Sequence, residues 1–190
     1  LVGYVGVMGR QEGIDYLLRA VKHMVFSMER RDIHFGLIGS GPEAESLKAY
    51  AEELGVAEYV TFTGRIPDEP MLEMLCTADV CVNPDVANEM NDKSTMNKIM
   101  EYMALGKPII QFDLTEGRFT AQDASLYARK NDEVDLAEKI VQLIDAPELR
   151  TRMGEFGRRR VEGALQWKYE APKLLAAYAA LWADRTPAVI

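Results

Sequence analysis

The 190-residue sequence predicts an α/β fold, a doubly wound, mostly parallel six-stranded sheet with helices on both faces. Three observations predict it. Short apolar runs alternate with stretches of helical periodicity along most of the chain. Glycine-rich turns, Gly39-Ser40-Gly41-Pro42 and Gly64-Arg65-Ile66-Pro67, follow two of the apolar runs. A helix that stops at Gly106-Lys107-Pro108 leads straight into another apolar run.

Taken in order, a strand over 2–8 precedes a helix over 13–28, whose Leu17, Leu18, Val21, Met24, Val25 and Met28 share one face. A strand over 33–38 ends in the first glycine turn, and a helix continues to about residue 54. Then come a strand over 59–63, a short helix over 70–77 and a strand over 79–83. Residues 84–93 read as a loop, residues 94–106 as a helix, and 108–112 as the strand after it. Beyond Asp113 the chain reads as loop, with a short strand near 126–128. Helices over about 134–144, 147–162 and 170–182 follow, and the tail 184–190 is expected to be loose.

In such a sheet ligands bind beyond the carboxyl ends of the strands, at the switch in strand order. The loops 9–13, 39–42, 64–67, 85–94 and 113–118 converge there. The run 94–108 carries the most chemistry. Ser94 is expected to cap the helix, with Asn97 at its third position, and Met96, Ile99, Met100, Met103 and Ala104 form an apolar face. Asn97 and Glu101 lie one turn apart on the flank of that face, facing a cleft beside the sheet. Lys98 stands where the helix dipole disfavours a cation, which makes sense if an anion shares the site. The alternative is a surface pair between Lys98 and Glu101.

The net charge of −8 argues against nucleic acid or an anionic membrane surface as the main partner. Cys76 and Cys81 lie in apolar context with no histidine nearby and read as buried thiols suited to a reducing cytosol. No run approaches the roughly 18 apolar residues of a membrane span, and no signal peptide is expected. A strand that begins with the first residues gives the expectation of a fragment from a longer protein. There is no Asp-x-Asp pair, and no metal site is expected. His23 and His34 have no nucleophile or acid partner at useful spacing, and Trp167 and Trp182 read as packing anchors.

Six stretches in one order resemble the C-terminal, donor-binding domain of the glycosyltransferase family 4 group, the group 1 transferases of GT-B fold. They are VGVMGRQEGIDYLLRAV, GLIGSGPEAESL, YVTFTGRIPDEPMLEML, ADVCVNPD, MEYMALGKPII and DLAEKIVQLIDAPELRTRMGEFGR, covering about residues 2–178. The resemblance implies a Rossmann-like nucleotide-sugar-binding domain over 1–165. Residues 166–190 would form a helix and tail that cross to an N-terminal acceptor domain. It implies that Glu101 holds the ribose hydroxyls and that the helix starting at Ser94, with Ser94, Thr95, Asn97 and Lys98, faces the diphosphate. Arg65 and Ile66 match the turn that receives the base, and Gly39 and Gly41 a loop of close approach.

Two positions depart from the family pattern. Lys93 stands where the first acid of the paired-acid motif falls, with Glu89 and Asp92 out of register. Glu12 replaces the lysine of a Lys-Gly pair, leaving Arg10 and Lys98 as substitutes for a diphosphate clamp. Arg10 serves equally well as the partner of a neighbouring carboxylate, and local ion pairing is the simpler expectation for Asp113, Glu116 and Arg118.

The resemblance implies transfer of a sugar, from a UDP-sugar first, to a glycan or lipid-linked acceptor, without metal and mostly with retention. Glu101 and Lys98 would act at the reacting centre. The nucleotide-sugar is a substrate, so no cofactor is expected, and the protein is expected in the cytoplasm or peripherally at the inner membrane. This half alone would bind nucleotide without transferring sugar, and its last helix would favour weak self-association. A UDP-sugar epimerase, a nucleotide-binding module that has lost catalysis and a flavodoxin-like domain are the alternatives.

Overall fold

The computed structural model describes residues 1–183. Six parallel strands form one sheet: β1 (Val2–Val5), β2 (Phe35–Ile38), β3 (Val60–Gly64), β4 (Val80–Asn83), β5 (Ile109–Phe112) and β6 (Ser125–Ala128). Their order is β3-β2-β1-β4-β5-β6, so the chain reverses direction across the sheet between β1 and β4. All five pairings are parallel, which sharpens the expected mostly parallel sheet.

Alternation along the strands separates two cores. Val2, Tyr4, Phe35, Leu37, Val80, Val82, Ile110 and Phe112 face one side, against α1 (Ile14–Phe26), α2 (Ala44–Glu53) and α7 (Glu133–Ile144). There α1 packs along α7. Cys81 and Ile109 face the other side, where Leu75 of α3 (Asp68–Thr77) and Ile99, Tyr102 and Met103 of α5 (Asn97–Ala104) close the second core. The helix α8 (Pro147–Arg160) runs into one π turn and then α9 (Trp167–Ala183). Among the described residues no helix is long and apolar enough to cross a membrane.

Several expectations need correction. The segment 84–93 contains a short helix, α4 (Glu89–Asp92), and Thr115–Ala121 is a helix, α6. The α5 helix begins at Asn97, with Met96 as its N-cap residue. Ser94 does not cap it, because its hydroxyl donates to the Met90 carbonyl at 2.6 Å and so finishes α4. Asn97 is therefore the first helical residue. The apolar face also differs: Tyr102 is buried, whereas Ala104 is exposed.

Cys76 is exposed, and only Cys81 is buried, where loss of water pushes its thiol up to about 12. His34 is exposed at the N-terminal end of β2 and bonds Thr61 Oγ1 at 2.8 Å. Trp167 and Trp182 are both 66% exposed, so neither anchors packing among the described residues. The tail 184–190 lies outside the described residues.

Candidate functional site

The crevice opens where β1 and β4 stop pairing. Only Val2 and Gly3 of β1 register with β4, opposite Val80 and Cys81. Beyond them the Val5 amide donates instead to the Tyr102 hydroxyl of α5 at 2.9 Å. The side chain of α5 thus fills the gap that a further rung of the ladder would occupy, and the helix start lies beside the carboxyl ends of both strands.

The turns around this gap approach one another through glycine. Gly39 has φ +133°, and a Cβ there would meet the Gly6 carbonyl oxygen at 1.8 Å. At Gly41 a Cβ would fall 2.5 Å from the Met8 carbonyl oxygen. The predicted close approach is therefore between the β2 turn and the β1 turn themselves.

The 3-10 turn Arg10–Glu12 after β1 is joined to the segment after β4 by side-chain amides. Asn91, buried, donates to the Gln11 carbonyl at 3.0 Å and to the Val86 carbonyl at 2.9 Å. Asn88 donates to Gln11 Oε1 at 2.6 Å, and the Val86 amide to the Gln11 carbonyl at 3.0 Å. Farther along, Asp92 accepts from the Thr115 amide and hydroxyl at 3.1 and 2.8 Å and from Lys130 at 3.1 Å. The Thr115 bonds hold the Asp92 carboxyl down at about 2.

Beneath the start of α5 lies a cluster that sequence reasoning did not assemble. Lys98 Nζ donates to Glu12 Oε2 and, at 2.9 Å, to Asp85 Oδ1. It also sits 5.3 Å from the centre of the Tyr4 ring. The Tyr4 hydroxyl lies 3.0 Å from Glu12 Oε2. The Lys98 side chain is 11% exposed and that of Asp85 1%, against 23% for Glu12. Two carboxylates thus share one ammonium, and Asp85 Oδ2 has no partner. Burial pushes the Asp85 carboxyl up to about 6; Lys98 opposes the rise and Glu12 adds to it. Burial, with Glu12 beside it, drives the Tyr4 hydroxyl far above the ordinary phenol range.

The cluster rules out the alternative of a surface pair with Glu101: Lys98 partners Glu12 and Asp85. Only the NPD tripeptide at the end of β4 hinted at Asp85, as an acid set directly behind a buried strand.

The other predicted residues fall around the same edge. Arg10, 87% exposed, pairs with Glu43 at 2.9 Å, so its carboxylate-partner role is the one seen. It borders a cleft of about 380 Å³ between α1, α2 and the segment after β4, lined also by Tyr16, Ser46, Tyr50 and Val86. None of the α5 residues lines that cleft. Thr95 Oγ1 bonds Glu116 at 3.1 Å. Asn97, Glu101 and Arg65 are exposed, while Ile66 is half-buried against the second core. Asp113 and Arg118 pair locally at 2.7 Å, as expected. Among the described residues no group of three or more His, Cys, Asp or Glu is gathered as a metal site.

The family model of the glycosyl transferases group 1 matches residues 1–146. The chain belongs to this family. Among its relatives, a 2-deoxystreptamine glucosyltransferase of Streptomyces kanamyceticus is 26% identical over 152 residues, 77% of this chain and 37% of the relative. A GDP-mannose-dependent monoacylated α-(1-6)-phosphatidylinositol monomannoside mannosyltransferase of Corynebacterium glutamicum is 26% identical over 167 residues, 86% of this chain and 43% of that protein. This group 1 glycosyltransferase chain therefore spans about two fifths of the curated relatives it matches. The sucrose-phosphate synthase structure from Thermosynechococcus elongatus superposes with TM-score 0.78 at 26% identity, covering 96% of this chain and 45% of that one. The doubly wound domain expected from the resemblance, of the kind found in GT-B glycosyltransferases, is thereby established for the group 1 chain.

Proposed function

We propose that this chain is the donor-binding half of an enzyme that moves a sugar from a nucleotide-sugar to a glycan or lipid-linked acceptor. A UDP-sugar is the first candidate donor, and the relative named for GDP-mannose makes GDP-sugars the direct competitor. The observation that carries the proposal is the start of α5 at the β1–β4 gap in a chain of this family. Amides of a first helical turn point outward and favour anions. Ser94, Thr95 and Asn97 add polar groups at that turn, and Glu101 follows one turn later to receive the ribose hydroxyls. Arg65 and Ile66, after β3, would border the base, with Gly39 and Gly41 shaping the wall between them.

The chemistry asked of the protein is modest. The diphosphate is already a leaving group, and the enzyme must stabilise its charge as it departs and hold the acceptor in line. The α5 amides and Lys98, with Arg10 at the rim, would supply that stabilisation. The sequence offers no Asp-x-Asp pair, which supports a metal-independent course, and retention of configuration is proposed with it. Transfer would need the acceptor-binding portion that the longer relatives possess, toward which residues 166–190 are proposed to extend. Trp167, Leu175, Leu181 and Trp182 are 66–69% exposed along α9, consistent with a surface made to be covered. The epimerase alternative loses support because His34 sits at the opposite edge of the sheet.

Calorimetric titration with UDP, GDP, ADP and their sugars tests the proposal. Binding of one nucleotide series is expected. Glu101→Ala should weaken it by roughly 10- to 100-fold, the loss of a charged hydrogen bond. Unchanged affinity in that variant would remove Glu101 from its role, and no binding by any of the six would leave a module without a donor site.

A further inference from the structure

Among the described residues, Lys98 is the one ammonium held beneath the start of α5, and it is shared by two carboxylates of unequal burial. With both ionised, this trio carries a net charge of −1 before any anion arrives. A diphosphate brought to the start of α5 adds further negative charge a few ångströms away, where like charges favour protonation. Asp85 is the group best placed to take the proton, since it is more buried than Glu12 and its Oδ2 has no donor.

We propose that Asp85 is a positioning residue that couples nucleotide-sugar binding to proton uptake: as the diphosphate approaches Lys98, Asp85 Oδ2 takes one proton from solvent. Lys98 is then balanced by Glu12 and the phosphate oxygens, and the buried trio no longer opposes the ligand. This coupling rests on the donor-binding role proposed above for α5. The groups that face Asp85 are Tyr4 from β1, Glu12 from the turn after it, and Lys98 and Tyr102 from α5. Both tyrosines are held neutral by burial, so neither supplies nor absorbs the proton near neutrality. The carboxyl of Asp85, already raised to about 6, gains its proton with little change in pH.

The effect on affinity has a definite sign. Below about pH 6 Asp85 is already protonated and affinity is level. Above it the ligand must recruit a proton, so affinity falls by up to about tenfold per pH unit until the bound-state pKa is passed.

A free nucleoside diphosphate would itself titrate in this range, so the probes are UDP-glucose and GDP-mannose, whose diphosphates are esterified at both ends. Calorimetry at pH 6.5, in two buffers of different ionisation enthalpy, counts the protons taken up per ligand bound. Wild type should take up about half to three quarters of a proton, with affinity falling several-fold between pH 6 and 7.5. Asp85→Asn should take up essentially none and show a flat pH profile. Glu12→Gln, which removes the excess charge at a more exposed position, should cut the uptake as well and serves if Asp85→Asn fails to fold. Binding without uptake in wild type, or equal uptake in both variants, overturns the coupling and leaves the donor-binding role intact. Absence of binding by both probes at every pH, with ADP-glucose equally silent, overturns both.

Discussion

The carbonyl oxygen of Pro84 lies so close to Gly13 that a Cβ built there would stand 1.9 Å from it. Gly13 also has φ +63° and is the N-cap residue of α1. The first helix can therefore begin only where the loop after β4 passes, and the two connections flanking the gap in the sheet are set against each other at this point.

Gly13→Ala should destabilise the fold by at least about 1–3 kcal/mol, from left-handed strain alone, with the steric contact adding to it. Urea denaturation followed by circular dichroism reads this directly. A midpoint within experimental error of wild type would show that the loop after β4 yields freely.

Removing Lys98 leaves Asp85 and Glu12 without their shared ammonium. Lys98→Met should cost about 3–5 kcal/mol, the usual penalty for orphaning a buried charge. Adding Asp85→Asn and Glu12→Gln to that variant should recover much of the loss, because no charge is then stranded. A single variant as stable as wild type would mean that the trio is hydrated enough to do without its cation.

Asp85 also shapes stability against pH. An aspartate ordinarily titrates near 3.9 when unfolded, and here burial lifts it to about 6. Between those values the folded state holds the extra proton, so raising the pH from about 4 to 6 favours unfolding through this group; above 6 the effect is constant. Relative to wild type, Asp85→Asn should gain of order 1–3 kcal/mol across that window and nothing beyond it. Parallel stability curves from pH 4 to 6 would show that Asp85 titrates normally.

Asp132 accepts from the Val134 and Asp135 amides at 3.1 and 3.0 Å and so caps α7, the helix that packs along α1. Asp132→Ala should lower stability by about 0.5–2 kcal/mol, and Asp132→Asn by much less. Thermal melts of the two variants distinguish the cap from loss of the Arg129 pair at 3.0 Å, since asparagine keeps only the former.

The alternation of strands and helices was readable because each element carries its own period, and α1 and α7 have strong apolar faces. What escaped depends on partners distant in the chain. Helix α6 has no apolar stripe; it holds its place by setting Gly117 against Gln111, where a Cβ would be 2.4 Å from Oε1. The start of α5 shifted because Ser94 answers to Met90 behind it, not to the helix ahead. The carboxylate partners of Lys98 were not legible because they lie 86 and 13 residues away. The family pattern marked Glu12 as a loss, whereas the fold uses it as one of the carboxylates that keep Lys98 in place.

The amide stitches from Asn88 and Asn91 to Gln11 make the two crossovers that border the gap a single rigid plate. A displacement of either one drags the other with it. Length changes in residues 84–93 would therefore propagate into the turn after the first strand, and this domain can drift in evolution only by altering both connections together.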